Sequence, residues 1–477
     1  MKGLIIELPE ILNQGNCRRF GIAPVMVDGR LESVLIDKKA DFNILSMVKF
    51  CLGRDIDFVP VEADLVMEAL NRTCRNSANN QGRDAEIESH RHSFDPSVVS
   101  LIDDIITDAL TLTASDIHLE PFETSMAVRI RVDGILRQRR IIRKETTAPV
   151  ISRVKIMSGL DIAEKRRPQD GRLRFRFQDR TVDIRVSVLP TDFGEKIVLR
   201  LLDKATLKLS LDRLGFDAEY LALFKEKLHL PGGIILITGP TGSGKTTTLY
   251  AALNHIKSPD INITTIEDPI EYNLDGINQT QIKPAIGLTF AGALRAILRQ
   301  DPNVIMVGEI RDRETLEIAL RASLTGHLVF STLHTNDASS SIARLIDLGA
   351  ENYLLATTLK LVVAQRLVRR ICPRCQTNRP DPVQEAAAAR LDLPPGIPIR
   401  RGRGCDNCLS TGYRGRTVIY EMLAPDEKIS RMIYHGADPA ALSAELKKNG
   451  MKTMSDRGCQ LIKDGQTTPS EVLRETC

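Results

Sequence analysis

Apolar residues recur at Val98, Ile102, Ile105 and Ala109, and spacings of four, three and four place them on one face of a helix. Asp95-Pro96 just ahead reads as an N-cap followed by a proline in the first turn. Two alternating stretches follow and predict half-buried strands. Met126, Val128, Ile130 and Val132 interleave with Ala127, Arg129 and Arg131, and Leu173, Phe175 and Phe177 interleave with Arg174 and Arg176. The arginines on the outward positions read as a solvated face. From Leu214 the pattern changes to continuous apolar runs: Ile234 to Thr238, Ile261 to Ile266, Val304 to Val307 and Leu328 to Thr332. Each ends in a polar, glycine-rich or acidic loop and alternates with a helical segment, which predicts a parallel α/β sheet. Ligands of such sheets bind beyond the carboxyl ends of the strands. No repeat of solenoid length is present.

Residues 72–93 turn polar and poor in apolar side chains, so a linker is expected there. The expected organisation is a small domain over 1–71 with helix-like segments such as Val61 to Leu70, the linker, an α+β domain over 94–204, and an α/β domain over 212–477.

Composition narrows the function classes. A length of 477 residues allows about three domains. A hydrophobic share of 42% with 26% charged residues excludes a disordered chain or a coiled-coil rod. The net charge of +4, with 7 Tyr, 13 Phe and no Trp, argues against nucleic-acid binding by bulk charge or base stacking, so no nucleic-acid partner is expected. The start, Met1 to Glu10, meets acids and a proline too early for a signal peptide, and no apolar run approaches the roughly 18 residues of a membrane span. The nine cysteines are expected to be mostly reduced.

The first candidate site is Gly239-Pro240-Thr241-Gly242-Ser243-Gly244-Lys245-Thr246, a full G-x-x-x-x-G-K-[ST] motif between the run Ile234 to Thr238 and a helical segment that continues through Thr247 to Leu253. Backbone N–H groups of such a loop curl around phosphate oxygens, and the helix N-terminus adds positive dipole. Lys245 reaches the β and γ phosphates, and the Thr246 hydroxyl ligates Mg²⁺. ATP and Mg²⁺ are therefore expected. Hydrolysis also needs a carboxylate near the γ-phosphate, at the tip of an adjacent strand. Val304 to Glu309 ends in one, and Thr265 to Tyr272 carries Glu267, Asp268 and Glu271. The run Thr325 to Asn336 brings His327 and His334, which by position become candidate reporters of the γ-phosphate.

The second candidate is Cys372-Pro373-Arg374-Cys375 with Cys405-Asp406-Asn407-Cys408, two C-x-x-C knuckles within 371–417. Four thiolates so presented suit a closed tetrahedral Zn²⁺ site, with a redox pair or unbound thiols as alternatives.

The phosphate loop, Thr265 to Tyr272, Val304 to Arg311 and Thr325 to Asn336, in this order, resemble the Walker A, Asp box, Walker B and His box of the type II secretion and type IV pilus assembly ATPases, of the general secretion pathway protein E type. Upstream, Ala114 to Pro121, Arg131 to Gly134, Arg167 to Arg172 and Asp183 to Ser187 resemble that family's second N-terminal domain. The resemblance implies a RecA-like ATPase domain with a zinc subdomain, preceded by a PAS-like α+β domain and a small platform-docking domain. It implies a homo-hexamer in the cytoplasm, peripheral on the inner membrane, docked on the cytoplasmic domain of a secretion platform protein. It also makes Glu309 the catalytic carboxylate, with Glu267, Asp268 and Glu271 supporting metal and water. Arg172 and Arg185, with Arg295 and Arg299, would bring positive charge to the γ-phosphate, some across a subunit boundary. The family's assembly members carry the four cysteines. Asp301-Pro302-Asn303 departs from the family pattern and is expected at the rim of the metal site. The overall length, with a short stretch ahead of the linker, favours a secretion motor over a pilus extension motor; a nucleic-acid translocase is the remote alternative, and Lys245, Thr246 and Glu309 argue against a non-catalytic scaffold.

Overall fold

A computed structural model describes residues 22–27, 30–37, 57–62, 64–66, 69, 96–203, 210–379, 381–394, 396–436 and 438–476. The chain divides into two compact units, Met1–His92 and Ser93–Cys477. In the first, β1 (Ile22–Val27) pairs antiparallel with β2 (Arg30–Asp37), and β2 pairs parallel with β3 (Asp57–Val61). Val61 thus closes a strand instead of opening a helix, although Asp64 to Val66 are helical. Ala69 is helical as well, whereas residues 63, 67, 68 and 70 of that expected helix, and the expected linker over 72–93, lie outside the described residues.

The second unit begins with α1 (Pro96–Thr111), whose Val98, Ile102, Ile105 and Ala109 are all buried. A six-stranded antiparallel sheet follows in the order β6-β5-β4-β9-β8-β7. Its strands are β4 (Asp116–Pro121), β5 (Ser125–Val132), β6 (Ile135–Arg143), β7 (Gln169–Phe177), β8 (Arg180–Thr191) and β9 (Gly194–Leu202). Along β8 the buried Val182, Ile184, Val186 and Val188 alternate with polar or charged residues, so one face packs inward and the other does not. The inner face meets α1 and α2 (Lys144–Met157) in one core. Inside it Lys155, 0% exposed, pairs with Glu195 at 2.5 Å and donates to Glu164 O at 2.7 Å. Removing one member of such a pair strands a charge in the core.

Next comes α3 (Ala218–Leu228), then β10 (Gly233–Thr238), α4 (Lys245–Ile256), β11 (Ile263–Glu267), β12 (Asn278–Gln281), α5 (Phe290–Ile297), β13 (Val304–Val307), α6 (Arg313–Leu324), β14 (Leu328–Leu333), α7 (Ala338–Asp347), α8 (Asn352–Thr358) and β15 (Leu359–Ile371). These and β18 (Tyr413–Leu423) build a seven-stranded sheet in the order β12-β11-β13-β14-β10-β15-β18. The apolar runs are continuous because both faces are covered. Ile234 and Leu236 point into one core, and Ile235 and Ile237 into the other. The sheet is mixed rather than wholly parallel: β18 runs antiparallel to β15 at its edge. Their far ends carry the cysteine module, with β16 (Gln376–Thr377), α9 (Pro382–Arg390) and β17 (Arg401–Gly402) between the knuckles. Helices α10 (Glu427–Tyr434), α11 (Pro439–Lys448), α12 (Met454–Lys463) and α13 (Pro469–Thr476) complete the chain. Glu471 of α13 pairs with Arg369 of β15 at 2.5 Å, and that guanidinium lies 4.1 Å from the Tyr413 ring centre. Among the described residues no helix is long and apolar enough to cross a membrane.

Candidate nucleotide site and four-cysteine module

The phosphate loop leaves the buried tip of β10 and enters α4 at Lys245. Two glycines are needed there for different reasons. A Cβ on Gly239 would stand 2.4 Å from the Gln365 carbonyl oxygen, and Gly244 takes a left-handed φ of 89° as the N-cap of α4. Gln365 braces the loop by donating to Ser243 O at 2.9 Å and accepting from Thr248 Oγ1 at 2.9 Å. Lys245 Nζ folds back to donate to the carbonyls of Gly239 (2.7 Å) and Pro240 (3.0 Å). Burial lowers its pKa while the Glu309 charge opposes the shift. The amine is pre-positioned inside the loop, held by weak neutral acceptors that an anion can displace.

Carboxylates arrive from the neighbouring strand tips. Glu309 follows β13, pairs with Arg311 at 2.6 Å, and has His334 Nε2 at 3.7 Å on its other oxygen. Burial and the charge of Lys245 lower the His334 pKa, against the pull of Glu309. Glu267 is buried and engaged on both oxygens, accepting from Thr265 (2.6 Å) and Gln279 (2.9 Å) and, on the other oxygen, from Tyr250. Glu271 pairs with Arg185 at 3.1 Å, and Arg185 also donates to Ile270 O. That contact ties the six-stranded sheet to the loop after β11.

These groups border a cavity of about 1110 Å³ between the carboxyl end of the seven-stranded sheet and the six-stranded sheet. Gly242, Lys245, Thr246, Asp268, Glu309 and His334 all line it. Four expected site residues stand apart from it, and Arg185 reaches it only through Glu271. Arg172 is exposed on β7, and Arg295 pairs with the exposed Glu314 at 2.5 Å. Arg299 donates to Arg295 O. His327 precedes β14 and hydrogen-bonds Ala322 O at 3.0 Å, so the length of that strand, about 3.3 Å per residue, separates it from His334. Asp301-Pro302-Asn303, expected at the rim of the metal site, lies at the amino end of β13, where Asn303 N donates to Asn262 O. It is therefore at the opposite end of β13 from Glu309.

The structure also brings in residues that sequence reasoning missed. The buried Asp116 pairs with Arg131 at 3.5 Å and Arg200 at 3.3 Å, and all three line the cavity along with the phosphate loop. Arg366 and Arg416 line it as well. No spacing in the sequence marks the first three, because pairing across strands brings them together: Asp116 is the direct cross-strand neighbour of both Arg131 and Arg200.

The four cysteine sulfurs lie within 4.8 Å of one another. Cys372 and Cys405 are 3.9 Å apart, Cys375 and Cys408 3.8 Å, and Cys405 and Cys408 3.7 Å. Four sulfurs about 2.3 Å from one Zn²⁺ in a tetrahedron stand roughly 3.8 Å apart, so the thiol set fits such an ion. Backbone N–H groups of Gly404, Cys405 and Gly412 point at the sulfurs of Cys375 and Cys408. Burial raises the Cys408 thiol pKa, but the N–H donors of Cys405 and Gly412 prevail and bring it to about 6.

A complete phosphate loop on a mixed sheet covered by helices on both faces, with a strand-tip carboxylate opposite its lysine, defines a P-loop ATPase. Residues 92–474 match the type II/IV secretion system protein family, and the chain belongs to that family. It is similar to type II secretion system protein E of Pseudomonas aeruginosa, 50% identical over 80% of this chain and 76% of the relative. The type IV pilus assembly ATPase PilB of Myxococcus xanthus is 43% identical over 90% of this chain and 79% of the relative. Among solved structures, the pilus retraction motor PilT with bound ADP aligns with a TM-score of 0.53 and 29% identity, covering 78% of this chain and 96% of that one. The ATPase DotB of Legionella pneumophila aligns at 0.59, covering 81% and 96%, and at 23% identity shows the shared fold alone.

Proposed function

We propose that this ATPase is the motor of a type II secretion system, which as a hexamer couples ATP hydrolysis to assembly of a pseudopilus. The observation that carries the reading is the convergence of Lys245, Glu309 and His334 on one cavity beneath a family-wide match to secretion proteins. In this reading the N–H groups of Gly242 to Thr246 and the ammonium of Lys245 bind the phosphates. Thr246 would hold Mg²⁺, which when bound neutralises charge on the phosphate oxygens. Glu309 orients the attacking water and takes its proton, and Arg311 holds that carboxylate in place meanwhile. His334, as a ring N–H donor, reports the terminal phosphate to α7. Glu267 acts as a positioning residue, since its oxygens are committed to Thr265, Gln279 and Tyr250. Asp268 would support Mg²⁺ and water there. Arg185, already beside the site, supplies charge from the same chain, and the outward-facing Arg172, Arg295 and Arg299 serve a neighbouring subunit's site. Cys372, Cys375, Cys405 and Cys408 hold a structural Zn²⁺. The chain docks on the cytoplasmic domain of a platform protein and so sits peripherally on the inner membrane.

The higher identity to the secretion relative supports secretion; the longer coverage by the pilus assembly relative supports the pilus extension motor as second reading. Deleting the gene and scoring exported enzymes and surface pili in one culture separates them. Exoproteins trapped in the periplasm with pili intact support the secretion motor. Lost pili with normal secretion overturn it in favour of pilus extension, and neither defect overturns both.

A further inference from the structure

The turn between β5 and β6 touches both candidate sites. Asp133 and Gly134 have φ values of 48° and 84°, the two successive left-handed residues of a tight two-residue hairpin turn. Asp133 borders the nucleotide cavity and also a smaller cavity of about 200 Å³ whose other wall includes Cys408 and Arg414. Its Oδ2 accepts from Gly415 N at 2.8 Å, a bond joining the six-stranded domain to the segment that follows the second knuckle. On the cysteine side, Asn407 Nδ2 donates to Cys372 Sγ at 3.4 Å, and Arg414 donates to Asn407 O at 3.1 Å. On the nucleotide side, Arg131 donates to Gly134 O at 3.1 Å and pairs with Asp116. Contacts therefore run without a break from a cysteine sulfur to an arginine facing the phosphate loop.

We propose that Asp133 is a positioning residue through which the four-cysteine module sets the Arg131 wall of the nucleotide cavity, so that metal binding and nucleotide binding are thermodynamically linked. The proposal rests on the nucleotide-site and zinc readings above. With the knuckles closed around an ion, Asn407 and Arg414 are fixed, and Gly415 N is held where Asp133 accepts from it. With the knuckles released, the start of β18 is held only by its irregular pairing with β15 around Arg369 and Ile371, so the donor loosens and the turn's bond to the other domain weakens. Arg131 then loses its fixed backbone acceptor. Linkage makes the effect reciprocal: whatever factor the metal contributes to nucleotide affinity, the nucleotide contributes to metal affinity.

The test uses the full chain and two readings: the Kd of a fluorescent ATP analogue with Mg²⁺ before and after zinc is stripped, and zinc retention against a chelator with and without the analogue. In the wild type, stripping weakens the analogue by about fivefold or more, and the analogue strengthens zinc retention by the same factor. In Asp133→Ala both factors fall towards one while zinc still binds at one per chain. Asp133→Asn, which keeps both a carbonyl acceptor for Gly415 N and the left-handed turn, recovers much of the linkage, whereas Asp133→Gly, which keeps the turn without an acceptor, behaves like Asp133→Ala; recovery by Asp133→Gly would reduce the role to the turn and overturn the proposal. The retention measurement starts from loaded protein, so it reads the linkage even if the stripped module unfolds. Equal affinities in loaded and stripped wild type, or a factor that persists in Asp133→Ala, overturn the proposal alone. Failure of the loaded wild type to bind the analogue overturns the nucleotide-site reading and the linkage with it.

Discussion

The two walls of the nucleotide cavity are built in opposite ways. The phosphate-loop wall is contiguous in sequence and presents backbone: glycines at 239, 242 and 244 on positive φ, a helix N-terminus, and one lysine held by two carbonyls of its own loop. The facing wall presents side chains from three strands, where Asp116 holds Arg131 and Arg200 by cross-strand register. Backbone binding of phosphate depends on loop shape and resists most side-chain changes. An arginine wall held by one carboxylate depends on that carboxylate.

The comparison breaks most sharply on the first wall. Lys245→Ala is expected to lose turnover by about 10²-fold or more, because a preorganised charge at the phosphates is removed. The fold should remain, since Lys245 bonds only to its own loop. Glu309→Gln is expected to lose a similar factor, within the roughly 10²- to 10⁴-fold span of general-base removal, while still binding ATP. Rapid phosphate release by Glu309→Gln would assign the base elsewhere, and intact turnover in Lys245→Ala would refute the phosphate-loop assignment.

The scaffold behind the second wall gives the next effect. Lys155→Met leaves Glu195 buried without its partner and should destabilise the six-stranded domain by about 3–5 kcal/mol. Replacing both residues with apolar ones should recover most of that loss. A denaturant series on the single and double variants checks this, and equal losses would show that packing rather than charge is responsible.

Legibility in the sequence follows the same division. The phosphate loop, the strands at Val304 and Leu328, and the paired cysteines were readable because their chemistry sits within a few consecutive residues. Asp116, Arg131 and Arg200 were not, because register and not spacing brings them together. Arginines alternating with apolar residues look the same whether they face water or a ligand. The two histidines of one run looked equivalent, yet they stand at opposite ends of β14. The edge strand β18 was hidden because its partner β15 lies across the whole cysteine module.

A smaller effect tests the second wall directly. Asp116→Ala frees Arg131 and Arg200 from their shared acceptor, so they lose orientation without losing charge. The expected result is a KM for ATP raised about tenfold, the worth of roughly 1.4 kcal/mol, with kcat little changed. A fall in kcat at constant KM would instead place the trio at the reacting phosphate.

The finest distinction between the walls is electrostatic, and His334 reads it. In the free protein burial and Lys245 hold its pKa below 6.5, with Glu309 opposing. Nucleotide adds negative charge beside the imidazole and screens Lys245, so the pKa must rise on binding. The sign is fixed by linkage: a proton taken up on binding makes ATP affinity increase as pH falls through the interval between the free and bound values. An NMR titration of the imidazoles, with and without a non-hydrolysable ATP analogue, shows both ends of that interval. The His327 signals should keep their positions when the analogue is added, because that ring is hydrogen-bonded to Ala322 O at the far end of the strand. A His334 titration that ignores the analogue would remove this residue from the γ-phosphate and leave Glu309 and Lys245 to sense it alone.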